Sequence, residues 1–240
     1  MNKISLIIPV YNEEKRIKLT LGKCISYFKN KKIDYEIIIV DDGSTDKTRL
    51  IIKDYLSENK NIKLTKQRKN KGKGYSVKEG MLLANGDYLL FSDADLSTPI
   101  EEIEKFIKVM KKGYDIVIAS RNMKDSIIPI KQPFFRKFLG QVFPFIVNLL
   151  ILPGYKDTQC GFKLFKKEVA IKIFSKQKIN DFGFDVEILF IAKKYGYKIK
   201  EIPVIWSNSL VSKVSPLLDS IRMFLDILKI RLNDIKNTYN

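Results

Sequence analysis

The sequence predicts an α/β fold with a mostly parallel sheet covered by helices. Three observations carry the prediction. Short apolar runs alternate with helical periodicities through the first half of the chain, the pattern of strand–helix–strand units. Acidic or glycine-bearing turns follow several of these runs, where such a sheet presents its ligand face. The 240 residues are 45% hydrophobic, enough for one substantial core.

In chain order, Ile4-Ser5-Leu6-Ile7-Ile8 reads as a buried strand, as do Tyr35 to Val40, Tyr88 to Phe91 and Ile116 to Ala119. Each is a short apolar run bounded by turn residues. Helical patterns fill residues 13–29, 46–58, 73–85 and 99–112. The last has the clearest start, with Thr98 as N-cap, Pro99 at the first helical position and Glu101 closing a capping box. Lys131 to Leu152 begins basic, with Arg136 and Lys137, and then turns rich in Phe, Ile and Leu, including Phe134, Phe135 and Phe138. Residues 184–195 predict a helix and Ile199 to Trp206 a strand. Pro216 to Lys236 predicts an amphipathic helix, with Leu217, Ile221, Phe224, Leu225, Leu228, Leu232 and Ile235 on one side and Arg222, Lys229 and Lys236 elsewhere. The expected organisation is one domain over 1–206, with 131–152 as an inserted apolar segment, and an amphipathic helical extension over 207–240.

Lys and Arg number 44 against 27 Asp and Glu, a net charge of +17. Such an excess calls for an anionic partner: nucleic acid, an anionic membrane or a phosphorylated substrate. The chain has no histidine, which excludes Ser-His-Asp catalysis and His-ligated zinc. Cys24 and Cys160 stand far apart and fit no zinc spacing, so reduced thiols in a cytosolic setting are expected. The apolar run Ile4 to Val10 is too short for a signal peptide. Phe138 to Leu152, the longest apolar stretch, contains Gln141, Pro144 and Asn148 and is shorter than a spanning helix requires.

Asp93 and Asp95 are the sharpest chemical signal. Two carboxylates one residue apart, after an apolar strand and before a helix, can share a divalent cation. Mg²⁺ and Mn²⁺ take oxygen ligands, commonly one or two carboxylates plus substrate phosphates. A plain turn with an acidic helix start is the competing account. Asp41-Asp42 is either an Asx turn leading toward Asp46 or a hydrogen-bond acceptor for a base or ribose. Asn70-Lys71-Gly72-Lys73-Gly74 is either a solvated turn or a loop that approaches a phosphate, and it lacks the Walker spacing.

Read together, the strings P-V-Y-N-E-E (9–14), D-D-G-S-T-D (41–46), G-K-G (72–74) and D-A-D-L-S-T (93–98) resemble family 2 glycosyltransferases of the GT-A fold. Ser120-Arg121, D-T-Q-C-G-F-K (157–163), F-D-V-E (184–187) and Ser212-Lys213-Val214 resemble a narrower group, the polyprenyl- and dolichyl-phosphate sugar synthases. The D-T-Q-C-G-F-K-L-F string is most similar to the dolichyl-phosphate β-glucosyltransferases. The resemblance implies roles residue by residue. Pro9, Tyr11, Glu13 and Asp41 would hold the nucleoside, with Lys73 also on the donor. Asp93 and Asp95 would hold Mg²⁺ or Mn²⁺ on the donor diphosphate. Arg121, Arg136 and Lys213 would contact phosphates of donor or acceptor, and Gln159 and Asp185 would face the sugar or the acceptor phosphate. Two positions depart from the family's pattern: Ser97 where some relatives carry a Gln metal ligand, and Val211 where relatives commonly have Gly.

The resemblance implies an inverting transfer of a hexose, first of all glucose from a UDP-sugar, onto dolichyl or polyprenyl phosphate. The composition agrees with the chemistry. A lipid monophosphate, with a second pKa of about 6 like other phosphate monoesters, attacks without giving up a proton, so a chain without histidine needs no imidazole base. Alternatives are a GDP-mannose-dependent mannosyl enzyme, a transferase acting on a polysaccharide with Asp185 or Glu187 as base, a nucleotidyltransferase, and a non-enzymatic basic membrane binder. Nucleic acid is not expected as a partner, because acidic turns at successive strand ends would repel it. The expected location is the cytoplasmic face of a membrane, peripheral or monotopic. The basic charge and the amphipathic C-terminal helix would meet anionic lipid there.

Overall fold

The structure, a computed structural model, describes residues 2–129, 147, 148, 150–207 and 216–240, and side chains of the last stretch from 222 onward. Arg136, Lys213, Val211, Phe134, Phe135 and Phe138 lie outside the described residues.

Seven strands form one sheet in the order β3-β2-β1-β4-β6-β5-β7. They are β1 (Ile4–Val10), β2 (Tyr35–Asp41), β3 (Ile62–Lys66), β4 (Tyr88–Ser92), β5 (Ile116–Ser120), β6 (Phe162–Lys166) and β7 (Ile199–Pro203). Every pairing is parallel except those of β6, which runs antiparallel to both β4 and β5. The expected mostly parallel sheet is therefore present. Two strands were not expected. β3 is a short alternating segment, Ile-Lys-Leu-Thr-Lys, at the sheet edge. β6 has lysines at two of its five positions, which hides a strand whose Lys163 is fully buried.

Helices cover both faces. Strand residues alternate between two cores, as pleating requires. Leu6, Ile8 and Val10 pack with α1 (Ile17–Asn30), α2 (Thr48–Glu58) and α4 (Ile103–Met110). Ile7, Ile38 and Phe91 pack with α3 (Lys73–Leu83), α5 (Lys167–Lys176), α6 (Phe184–Lys194) and α7 (Pro216–Ile235). Because both faces are covered, β1 and β2 are almost wholly buried and read as continuous apolar runs. The end of the inserted segment belongs to this core too, since Val147, Ile151 and Leu152 are buried.

One local expectation is corrected. The helix after Thr98 opens as a 3-10 turn at Ile100–Glu102 and no side chain caps it. The Thr98 hydroxyl is instead turned inward to Cys160 Sγ at 3.7 Å. In α7 the side that packs on the core is Met223, Ile227 and Ile230. The expected apolar stripe of Phe224, Leu225, Leu228, Leu232 and Ile235 is exposed by 40 to 76%. No helix among the described residues is long and apolar enough to cross a membrane.

The chain steps outward from β1 to β2 and β3, then crosses back to β4 on the other side of β1. Strand order thus reverses between β1 and β4, and the crevice beyond their carboxyl ends is where such sheets bind ligands.

Candidate active site

Three turns meet at that crevice. Asn12, in the left-handed region at φ 53°, joins the first two. Its amide donates to Ser44 Oγ at 2.9 Å, and its Oδ1 accepts the Thr45 amide at 2.8 Å. The Glu13 amide donates to Thr48 Oγ1 at 2.7 Å, and the Glu13 carboxylate is gripped by both forks of Arg16 at 2.6 and 2.8 Å. Asp41 is fully buried. It accepts the Ser44 amide at 2.9 Å and pairs with Arg49 Nε. Pro9 lies within β1, and Tyr11 is partly exposed just beyond it.

Asp42 holds the glycine-bearing loop. Its two oxygens accept the Lys71 and Gly72 amides at 2.8 and 2.9 Å, and burial pushes its carboxyl up. Gly72 takes φ 104°, and a side chain there would enter the Asn180 carbonyl, so only glycine fits this step into α3. The loop therefore delivers Lys73 to the site. Lys73 Nζ lies 2.6 Å from Asp93 Oδ1.

Asp93 and Asp95 stand beyond β4, joined by a turn with Leu96 at φ 47°. Asp95 Oδ1 accepts the Ser97 amide at 2.9 Å, and Arg16 Nη1 lies 3.8 Å from Asp95 Oδ2. Ser97 is buried, and its carbonyl accepts the Ser207 amide at 2.8 Å. From the other side comes the loop before β6. The Asp93 amide donates to the Gly161 carbonyl at 3.1 Å, and a Cβ on Gly161 would fall inside the Asp93 carboxylate. Two partly exposed carboxylates suit a hard divalent cation that takes its remaining ligands from phosphate oxygens and water. No group of three or more His, Cys, Asp or Glu side chains converges for a metal among the described residues. A cation held by these two carboxylates would thus need further oxygen ligands from a bound phosphate or water.

Deeper lies a buried ion pair. Lys163 and Asp185 are both buried and bonded to each other, with the Cys160 carbonyl a second acceptor for Lys163 at 2.8 Å. Burial raises the Asp185 carboxyl despite the pull of Lys163 and Lys73. Asp185 and Lys73 therefore share one electrostatic cluster with Asp93. Glu187 is not part of it. Its carboxylate accepts the amides of Lys178 and Ile179 and the hydroxyl of Tyr239, a packing role.

Arg121 follows β5. Its guanidinium makes two bonds to Asp157, at 2.7 and 2.9 Å, and lies 5.5 Å from the Trp206 ring centroid. Asp157 is fully buried, and the guanidinium outweighs burial to hold its carboxyl low. Gln159 reaches Met223 Sδ on α7 at 3.6 Å. The described candidates thus form a group at the turns after β1 and β2 (Pro9, Tyr11, Glu13, Asp41), a central group (Lys73, Asp93, Asp95, Asp185) and a flank (Arg121, Gln159). Sequence reasoning passed over Arg16, Asp157 and Lys163 as site-building groups, and it read Asp42 as a turn or ligand acceptor rather than as the anchor of the Lys71–Gly72 loop. Asp157 and Lys163 lie inside the D-T-Q-C-G-F-K string, whose two ends were the available signal.

The sequence profile of "Glycosyl transferase family 2" matches residues 5–174. A dolichyl-phosphate β-glucosyltransferase of Dictyostelium discoideum is 40% identical over 240 residues, covering 95% of this chain and 73% of the relative. Those of Saccharomyces cerevisiae and Homo sapiens are 37% and 35% identical, covering 98% and 96% of this chain and 76% and 75% of the relatives. Among solved structures, mannosyl-3-phosphoglycerate synthase from Rubrobacter xylanophilus superposes with a TM-score of 0.71 at 13% identity, over 98% of this chain and 74% of its own. Glucosyl-3-phosphoglycerate synthase from Mycobacterium tuberculosis, in complex with Mn²⁺, uridine diphosphate and glucosyl-3-phosphoglycerate, gives 0.68 at 16% identity, over 95% and 80%. At these identities the structures support the fold.

Proposed function

The chain belongs to glycosyltransferase family 2, and on that premise we propose that it transfers glucose from UDP-glucose to dolichyl or polyprenyl phosphate with inversion, giving a β-linked lipid-phosphate sugar. The observation that carries this most is the similarity of nearly the whole chain to dolichyl-phosphate β-glucosyltransferases. The same similarity sets aside a polysaccharide acceptor and a non-enzymatic binder.

Asp93 and Asp95 would hold Mg²⁺ or Mn²⁺, which when bound would supply positive charge to stabilise the leaving diphosphate. The other roles belong to the chain alone. Glu13, held by Arg16, and Asp41, which fixes the Ser44 turn and Arg49, shape the nucleoside pocket together with Pro9 and Tyr11. Lys73 adds positive charge on the donor side. Asp185 acts through its field on Lys73 and Lys163. Arg121, kept in place by Asp157 and Trp206, and Gln159 face the acceptor phosphate, and the family resemblance assigns Arg136 and Lys213 phosphate contacts as well. The acceptor phosphate is ionised at neutral pH and attacks directly, so no base has to be found.

The membrane is the place where such an acceptor lies. Residues 1–206 act as the transferase domain and 207–240 as the extension that seats it peripherally on the cytoplasmic leaflet. The exposed stripe Phe224, Leu225, Leu228, Leu232 and Ile235, bordered by the exposed Arg222, Lys229 and Lys236, has the form of an interfacial helix meeting anionic lipid.

Calorimetry in Mn²⁺ tests the donor. UDP is expected to bind more tightly than GDP or ADP, and Asp41→Ala to weaken UDP binding by releasing Arg49 and the Ser44 turn. Tighter binding of GDP would shift the donor to GDP-mannose and overturn the glucosyl assignment.

A further inference from the structure

The carboxylate assigned to the metal already carries a cation. Lys73 Nζ sits 2.6 Å from Asp93 Oδ1.

The backbone under Lys73 is fixed from three directions. Asp42 binds the two amides before it. Gln177 Nε2 donates to the Gly74 carbonyl at 2.9 Å, and the Tyr75 amide donates to the Asn180 carbonyl at 3.0 Å. Only the flexible four-carbon stem can move. A divalent cation on Asp93 and an ammonium at ion-pair distance from the same carboxylate would repel each other strongly in a partly buried pocket. Of the other acids near it, Asp185 is engaged by Lys163 and Asp95 is assigned to the metal. The negative charge that enters with the substrate, the donor's diphosphate, is then the natural acceptor for the displaced ammonium.

We propose that Lys73 is a resident counter-ion of Asp93 that a divalent cation must displace, and that its release turns the ammonium onto the donor diphosphate. The inference rests on the assignment of Asp93 and Asp95 as metal ligands. It makes metal binding weak without nucleotide, and it makes metal and nucleotide each strengthen the other's binding by the same factor.

The test is titration of the protein with Mn²⁺, free ion being read by electron paramagnetic resonance, with and without UDP. Without nucleotide, Lys73→Met and the uncharged polar variant Lys73→Gln are expected to bind Mn²⁺ about tenfold or more tightly than wild type, within the usual span of coupling between sites. UDP should enhance Mn²⁺ binding less in these variants than in wild type, and Lys73→Arg, which restores a cation, should return to weak binding. Nucleotide-free affinity that is unchanged or weaker in both neutral variants would overturn the proposal. Asp95→Asn separates the two levels. If it binds Mn²⁺ as wild type does, the metal assignment itself fails; if it loses Mn²⁺ while the Lys73 variants show no gain, the counter-ion role alone fails.

Discussion

Asp95→Asn is expected to cut turnover by about a hundredfold or more, the scale of losing a main electrostatic stabiliser of the transition state, with the melting temperature nearly unchanged. The structure separates the two effects. The fold needs one thing from this side chain, an oxygen to accept the Ser97 amide, and asparagine keeps an acceptor there. What asparagine removes is the negative charge opposite Arg16 and beside Asp93. Wild-type protein in excess EDTA should show a comparable loss that added Mg²⁺ or Mn²⁺ reverses. Full activity of the folded variant, or of wild type in EDTA, would rule out the carboxylate-held metal.

Replacing Leu225, Leu228 and Leu232 together by Ser is expected to lower partitioning onto anionic vesicles by about a hundredfold. Each leucine is about half exposed in the protein. Inserting that remaining half into the headgroup boundary contributes roughly 1 kcal/mol per side chain, so three make about 3 kcal/mol, near two powers of ten. The substitutions leave Met223, Ile227 and Ile230 on the core side untouched, so stability should change little. Flotation with vesicles of increasing anionic lipid is the measurement. Binding of wild type should rise with anionic lipid and fall partly with salt, because Lys229, Lys236 and Arg222 border the stripe. Retention of the triple variant, or a wild type that ignores anionic vesicles, would refute this seating of the helix.

What was legible in the sequence follows from burial. β1, β2, β4 and β5 are covered on both faces, so they stand out as apolar runs, and the turns beyond β1, β2 and β4 carry the acids that converge in the crevice. β6 was hidden because Lys163 is paid no attention by a hydrophobic pattern, yet it is buried against Asp185, a partner 22 positions away. The same long-range logic hid Asp157, whose carboxylate serves Arg121 across 36 positions. In α7 the apolar residues fall on two sides, and periodicity alone selected the larger, which is the exposed one. Asp42 looked like a turn residue, and its hydrogen bonds show it anchoring the loop that carries Lys73.

This chain is expected to make a β-linked glucosyl phosphate on a polyprenyl or dolichyl carrier. The most direct measurement incubates the purified protein with UDP-glucose or GDP-mannose, Mn²⁺ and polyprenyl phosphate in vesicles. The lipid product is then identified by mass and its anomeric configuration by NMR. A β-linked hexosyl-phosphate lipid formed from UDP-glucose, abolished by EDTA, is the predicted result. Lipid product from GDP-mannose alone, an α-linked product, or no glycolipid with either donor would contradict it.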